Sequence, residues 1–234
     1  MRTVHVLAVT RWQRIQAIAW LVAGLVVALS GSTSASMPSV VASGTLVSYG
    51  CLFALISVRR PADWVTLARV CALAGALLLA SRSERVELGV WCLCVLAIAA
   101  DLVDGWLARR TGESPAGAVL DMEADQAATL GLAVLAVVPC GVGAWALLLP
   151  AFRYTFVLLG WLAALPAHDP KPKAGDNRRA RAICAFAMVL QLAAIAPFTP
   201  PAIRVVCLAT AIAAFTYSYS DDVQFLLRHR AAAP

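Results

Sequence analysis

Four aspartates fall within one otherwise apolar stretch: Asp101, Asp104, Asp121 and Asp125. The first two are three residues apart and the second two are four apart, so each pair shares one face of a helix. Between the pairs the chain turns. Gly112 suits a helix C-cap, Ser114 an N-cap and Pro115 the first helical position. Two antiparallel helices joined by this tight loop each point two carboxylates at the other. With a helix end at Ala108, Asp101 lies roughly 10 Å from it at 1.5 Å per residue, which puts the carboxylates just below a membrane surface. An ionised Asp in a bilayer costs about 2.5–3.5 kcal/mol, and four together repel one another, so cations must neutralise them. Arg69, Arg109 and metal ions are the candidates. Carboxylates alone, with no His or Cys nearby, select Mg²⁺, Mn²⁺ or Ca²⁺ over Zn²⁺. Two facing carboxylate pairs suit two ions about 3.5–4 Å apart, bridging an anionic substrate. Gly105 and Gly117 let a ligand or a partner helix approach closely, and Arg109 suits a phosphate.

The elements that must hold these residues are membrane helices. Hydrophobic residues make up 61% of the 234 and charged residues 14%, against about 45–50% and 25% in soluble domains. That excess cannot fit one soluble core and must face lipid. A soluble enzyme, a disordered chain and a secreted disulfide scaffold are excluded on this ground. Eight apolar segments are expected, at about 15–31, 38–58, 65–81, 88–108, 115–139, 142–165, 182–198 and 203–220, each long enough to span. They lack the alternation of barrel strands, and open sheets do not span lipid. The fold class is therefore all-α, a polytopic membrane helical bundle. The seven cysteines all lie in or beside apolar stretches and read as small hydrophobes, with Cys92 and Cys94 pointing apart on a helix.

Basic residues set the orientation. With the N-terminus in the cytoplasm, fifteen of the nineteen Lys and Arg lie on the inside, Arg82, Arg85 and Arg204 lie outside, and Arg153 lies mid-helix. The net charge of +6 is thus a topology signal that also favours anionic lipid headgroups. No soluble basic fold exists to bind nucleic acid. Arg14, the apolar run after it and Ser34-Ala35-Ser36 also resemble a cleavable leader. The long polar lead and the second apolar run close behind favour a retained span.

Asp101-x-x-Asp104-Gly105-x-x-Ala108-Arg109 followed by Gly117-x-x-x-Asp121-x-x-x-Asp125 resembles the signature of the CDP-alcohol phosphatidyltransferases, with all eight positions filled. Upstream, Pro61-Ala62-Asp63-Trp64-Val65-Thr66-Leu67-Ala68-Arg69 resembles that family's Pro-Ala-Asn-x-x-Thr-x-x-Arg stretch. The resemblance covers about residues 59–227. It implies a six-helix catalytic core in residues 59–234 and two extra transmembrane helices in residues 1–58. It further implies an enzyme of phospholipid synthesis in the cell membrane; the basic residues put its site on the cytoplasmic side, and a homodimer is the oligomer considered. A CDP-linked lipid donates its phosphatidyl group to an alcohol and CMP leaves. By analogy, Asp101, Asp104 and Asp121 hold metal, and Asp125 holds the second of two Mg²⁺ or Mn²⁺ ions and serves as base. Thr66, Arg69, Gly105, Ala108, Arg109 and Gly117 would line the CDP site.

Two departures stand out. Seven residues separate Arg109 from Gly117 where many members have eight. Asp63 replaces the usual Asn, so altered nucleotide contacts are expected there. Glu123 points off the Asp121–Asp125 face and reads as a surface charge or one lying behind the ligands. Arg153 must face the interior or a wet cavity at its depth. It is read as the contact for the phosphate of a phosphorylated polyol acceptor, with a structural ion pair as the equal alternative. The basic residues of 166–181 read chiefly as a positive-inside loop. A free alcohol such as serine is the second acceptor. A carrier that uses intramembrane carboxylates is the rival of another class, but it would place them near the midplane and show repeat symmetry.

Overall fold

The computed structural model describes residues 2–30, 34–55, 60–83, 85–112, 115–162 and 174–230. These form eight α-helices: α1 (Arg2–Ser30), α2 (Met37–Leu55), α3 (Pro61–Ala80), α4 (Leu88–Thr111), α5 (Pro115–Val137), α6 (Leu148–Leu162), α7 (Ala174–Ile195) and α8 (Pro201–Arg230). A short 3₁₀ turn, Ala144–Leu147, leads into α6. Each expected segment falls on one helix. The largest differences are at the ends. α1 begins before the apolar run and α8 continues past it, because residues 2–14 and 221–230 contain no Gly or Pro to stop a helix.

Six spans among the described residues, five α-helices and the 3₁₀ turn continued by α6, are long and apolar enough to cross a membrane. α5 is not among them, because Asp121, Glu123 and Asp125 interrupt it. α7 is not either, because its first turns are polar and basic. α5 instead runs through the protein interior, and every residue from 126 to 137 is buried. A helix apolar on all sides belongs in such a place. Small residues keep it closely packed, and Leu73 of α3 lies against Gly131. Large apolar side chains on the outside, such as Leu25, Leu29, Val47, Leu96, Leu102, Leu162 and Val206, are exposed, as expected of surfaces that meet lipid. The cysteines are unpaired, with Cys94 buried and Cys92 exposed on opposite sides of α4.

The packing order differs from the expected direct facing of α4 and α5. α3 makes the extensive contacts with both, so it is wedged between the two aspartate-bearing helices. α4 also runs on to Thr111, which places Asp101 roughly 15 Å from the helix end at 1.5 Å per residue. The α4–α5 turn is fixed from α3. Arg60, the residue before α3, donates from Nη1 to the Thr111 carbonyl at 2.8 Å. A cation at a helix C-terminus also offsets the macrodipole. Gly112 follows at φ 85°, and a Cβ there would lie 2.5 Å from Arg60 Nη1. Ser114, the expected N-cap, lies outside the described residues.

Two glycines should therefore respond in opposite senses. Gly112→Ala forces a side chain into the left-handed region and against Arg60, and should destabilise by about 1 kcal/mol or more. Gly24→Ala, in mid-helix with nothing within 4 Å of its Cβ, should stabilise by about 0.5–1 kcal/mol. Thermal melting in detergent reads both, and equal shifts would refute the account of the turn.

Candidate active site

α3, α4 and α5 bring all four aspartates onto one guanidinium. Arg69 is 5% exposed. Its Nη1 lies 2.8 Å from Asp101, 2.7 Å from Asp104 and 3.2 Å from Asp121. Its Nη2 lies 2.9 Å from Asp125. Its Nε donates to the Ala97 carbonyl at 3.2 Å, which pins it to α4. Thr66, one turn before Arg69, donates its hydroxyl to Asp104 at 2.9 Å. The three-residue spacing of Thr66 and Arg69 puts both on the face of α3 that enters the wedge. Asp104 is buried, whereas the Asp101 and Asp121 side chains are 45% and 49% exposed. The cluster is thus closed on the Asp104 side and open on the Asp101–Asp121 side.

This donor set fits divalent cations. Ligand oxygens of Asp101, Asp104 and Asp121 lie within 4.8 Å of one another. Counted as ionised groups, four carboxylates and one guanidinium leave three negative charges at the cluster. Purely oxygen ligands with that residual charge match Mg²⁺ or Mn²⁺.

The remaining sequence candidates are distributed around the cluster. Gly105 and Ala108 are half-buried on α4, and Arg109 is exposed. The Arg109 guanidinium reaches back over Gly105, 3.5 Å from where a Cβ would stand. Gly117 is half-buried at the start of α5. Lys171 and Lys173 lie outside the described residues. Arg179, at the start of α7, pairs with Asp221 of α8 at 3.1 Å.

Asp63 is buried and accepts the Arg60 backbone N–H at 2.8 Å, capping α3. An Asn oxygen can accept the same bond, so the exchange leaves the cap in place. Glu123 is no surface charge. It is 3% exposed and meets Arg153 at 2.9 Å. It lies off the face of Asp121 and Asp125, as spacing requires, but on the side where α1, α2 and α6 pack. The aspartates are therefore not the partners of Arg153. Arg153 makes an ion pair with Glu123.

Beside the cluster lies a cavity of about 170 Å³. Asp125 and Arg153 both line it, with Gln126, Cys184, Phe215 and Tyr219 among the other walls. Phe152, Phe215 and Tyr219 pack as an aromatic group between α6 and α8. Arg153 gives its Nη2 to Glu123, while its buried Nε has no hydrogen-bond partner in the structure. Sequence reasoning missed Gln126 and Tyr219. Their only signal is polarity within apolar helices.

Helical bundle, aspartate cluster and adjoining cavity form one site whose carboxylates could hold a divalent cation. A family profile described as CDP-alcohol phosphatidyltransferase matches residues 60–217. The chain belongs to the CDP-alcohol phosphatidyltransferase family. It is a multi-pass membrane enzyme of phospholipid synthesis, of the class that moves a substituted phosphate from a CDP-linked donor to an alcohol and releases CMP. Such enzymes work with divalent metal ions. No curated protein and no solved structure gives a significant match.

Arg69 is the resident counter-cation of the cluster. Arg69→Gln leaves four carboxylates without it, a loss that should cost about 3 kcal/mol or more in chelator. Millimolar Mg²⁺ should restore more stability to this variant than to the parent. Melting curves in detergent, with and without chelator, measure both quantities. A variant indifferent to Mg²⁺ would show that the cluster takes up no ion.

Proposed function

We propose that this enzyme transfers the phosphatidyl group of a CDP-linked lipid to a phosphorylated polyol seated in the cavity beside Asp125. The observation that carries the reading is that Asp125 and Arg153 line one cavity. Asp101, Asp104 and Asp121 hold metal, and Asp125 holds a second ion. When bound, the ions neutralise the diphosphate and stabilise CMP as it leaves. Thr66 and Arg69 keep the carboxylates converged for this purpose. Gly105, Ala108, Arg109 and Gly117 line the CDP side, where Arg109 is exposed and free to reach a phosphate. Asp125 orients the acceptor hydroxyl and accepts its proton. The hydroxyl oxygen bonds to the phosphorus of the lipid phosphate as the bond to the CMP oxygen breaks. Arg153 meets the acceptor's own phosphate through the donors that Glu123 leaves open.

One observation favours a second reading, a free alcohol acceptor such as serine. Glu123 already balances Arg153, so the cavity carries less positive charge than a lone arginine would give it. Phosphorylated polyols and free alcohols compared as acceptors, with CMP release as the readout, separate the two. Activity confined to free alcohols would overturn the first reading and leave the reaction class intact.

Transfer should require Mg²⁺ or Mn²⁺ and stop in chelator. Asp125→Asn should leave CDP-lipid binding largely intact and lower turnover by about 100-fold or more, as expected for a lost general base. Asp101→Asn should weaken both. Near-normal turnover in Asp125→Asn would remove the base assignment.

This reading divides the chain into residues 1–58 and a catalytic core of 59–234, supported by a family match that covers residues 60–217. The same reading has the N-terminus and the site in the cytoplasm, supported by the fifteen basic residues assigned to that side. It also includes a homodimer, which cross-linking in native membranes tests. A cysteine placed at Arg110 should react with an impermeant maleimide only in inverted vesicles, and one at Arg82 only in right-side-out cells. The reverse pattern would invert the topology.

A further inference from the structure

α1 and α2 precede the residues matched by the family and carry none of the aspartates. Their polar side chains nevertheless converge on the helix that bears Asp121 and Asp125. Trp12 Nε1 donates to the Ser48 carbonyl at 2.9 Å, Ser48 donates to Gln16 at 2.6 Å, and Gln16 donates to the Tyr49 oxygen at 3.3 Å. These bonds tie α1 to α2. Two further bonds leave the pair and end on one residue of α5. Gln13 Nε2 donates to Glu123 Oε1 at 2.8 Å, and the Tyr49 hydroxyl donates to the Glu123 backbone carbonyl. Glu123 Oε1 in turn receives Arg153 Nη2 at 2.9 Å.

Tyr49 and Gln16 are buried, as is Glu123, and polar groups at such depth are costly unless bonded. Ordinary helix packing needs no such chain of bonds. Its direction is the informative feature. Gln13 fixes the Glu123 side chain, Tyr49 fixes its backbone, and the carboxylate holds one corner of a planar guanidinium. A planar fork held at one corner has its other donors aimed. Those donors belong to the arginine that lines the cavity beside Asp125.

We propose that α1 and α2 brace the acceptor half of the site: Gln13 and Tyr49 hold Glu123, and Glu123 holds Arg153 toward the acceptor. Gln13, Tyr49 and Glu123 are positioning residues. The inference rests on the acceptor reading above, in which Arg153 touches substrate.

The test is a double-mutant cycle on the full-length enzyme. Tyr49→Phe and Gln13→Leu should each raise the acceptor KM by roughly three- to tenfold, the worth of about one hydrogen bond. kcat and the CDP-lipid KM should stay within about twofold, since the bonds concern ground-state acceptor contacts. Arg153→Gln should raise the acceptor KM about tenfold or more. In the Arg153→Gln background, Tyr49→Phe and Gln13→Leu should add nothing further. Glu123→Gln keeps an acceptor oxygen for Gln13 and Arg153 and should recover most of what Glu123→Ala loses. Should Gln13→Leu fail to accumulate, Tyr49→Phe carries the cycle alone. Effects that multiply with Arg153→Gln, or that fall equally on both substrates, would overturn the brace. So would unchanged kinetics in Tyr49→Phe while the parent enzyme transfers normally, with the proposed function left standing. A parent enzyme that releases no CMP with any acceptor would take down the function reading, and the brace with it.

Discussion

Like charge held together inside an apolar solvent is the constraint around which this bundle is organised. Four carboxylates on two helices repel, and lipid gives them no screening. The protein answers with a third helix. α3 enters between α4 and α5 and delivers one guanidinium whose nitrogens touch all four. Arg suits that post better than Lys because its fork presents several donors in a plane and stays charged when buried. Counted as ionised groups, the compensation is incomplete by three charges, and that incompleteness suits the cluster to a divalent cation better than a closed structural ion pair would. A fully balanced cluster would give divalent ions little to bind.

The wedge imposes its own demands. α3 must arrive at a fixed height, so that Thr66 and Arg69 meet Asp104 and its neighbours. Its start is set by Asp63, which caps the helix, and by Arg60, which clasps the end of α4. α5 must lie in the protein interior because three acidic residues bar it from lipid. Its small side chains then let α3 close on it, as Leu73 does at Gly131. The lipid-facing helices surround this arrangement and need only be long and apolar.

The sequence made the eight helices legible because apolar length is a strong signal in a membrane chain. The aspartates were legible too, since their spacing puts each pair on one face. What spacing does not encode is which helix lies between two others. α4 and α5 are neighbours in sequence, and the expectation that they face one another directly missed α3. The partner of Arg153 was lost for a related reason. Glu123 shares a helix with Asp121 and Asp125, and only the neighbours on its other side, α1, α2 and α6, decide whether it meets solvent or an arginine. The capping role of Asp63 is not legible in the sequence, because a capping carboxylate and a ligand-facing one look alike until the backbone N–H it accepts is known. Gln13 and Tyr49 gave no signal beyond being polar in apolar helices.

Glu123 and Arg153 form a second charged pair, one that closes where the first stays open. Burying such a pair gains little stability by itself, because desolvation of both ions offsets their attraction. Gln13 and Tyr49 add the hydrogen bonds that tilt the balance, and they come from helices beyond the matched residues 60–217. The two clusters sit on opposite faces of one short stretch of α5, two residues apart. A shift of α5 that relaxed one pair would therefore displace the other. The net-negative cluster holds that stretch from the α3 side, and the near-neutral pair holds it from the α1 and α2 side. Held from both faces, Asp125 has a defined place between the aspartate cluster and the cavity, which is what the double role proposed for it requires.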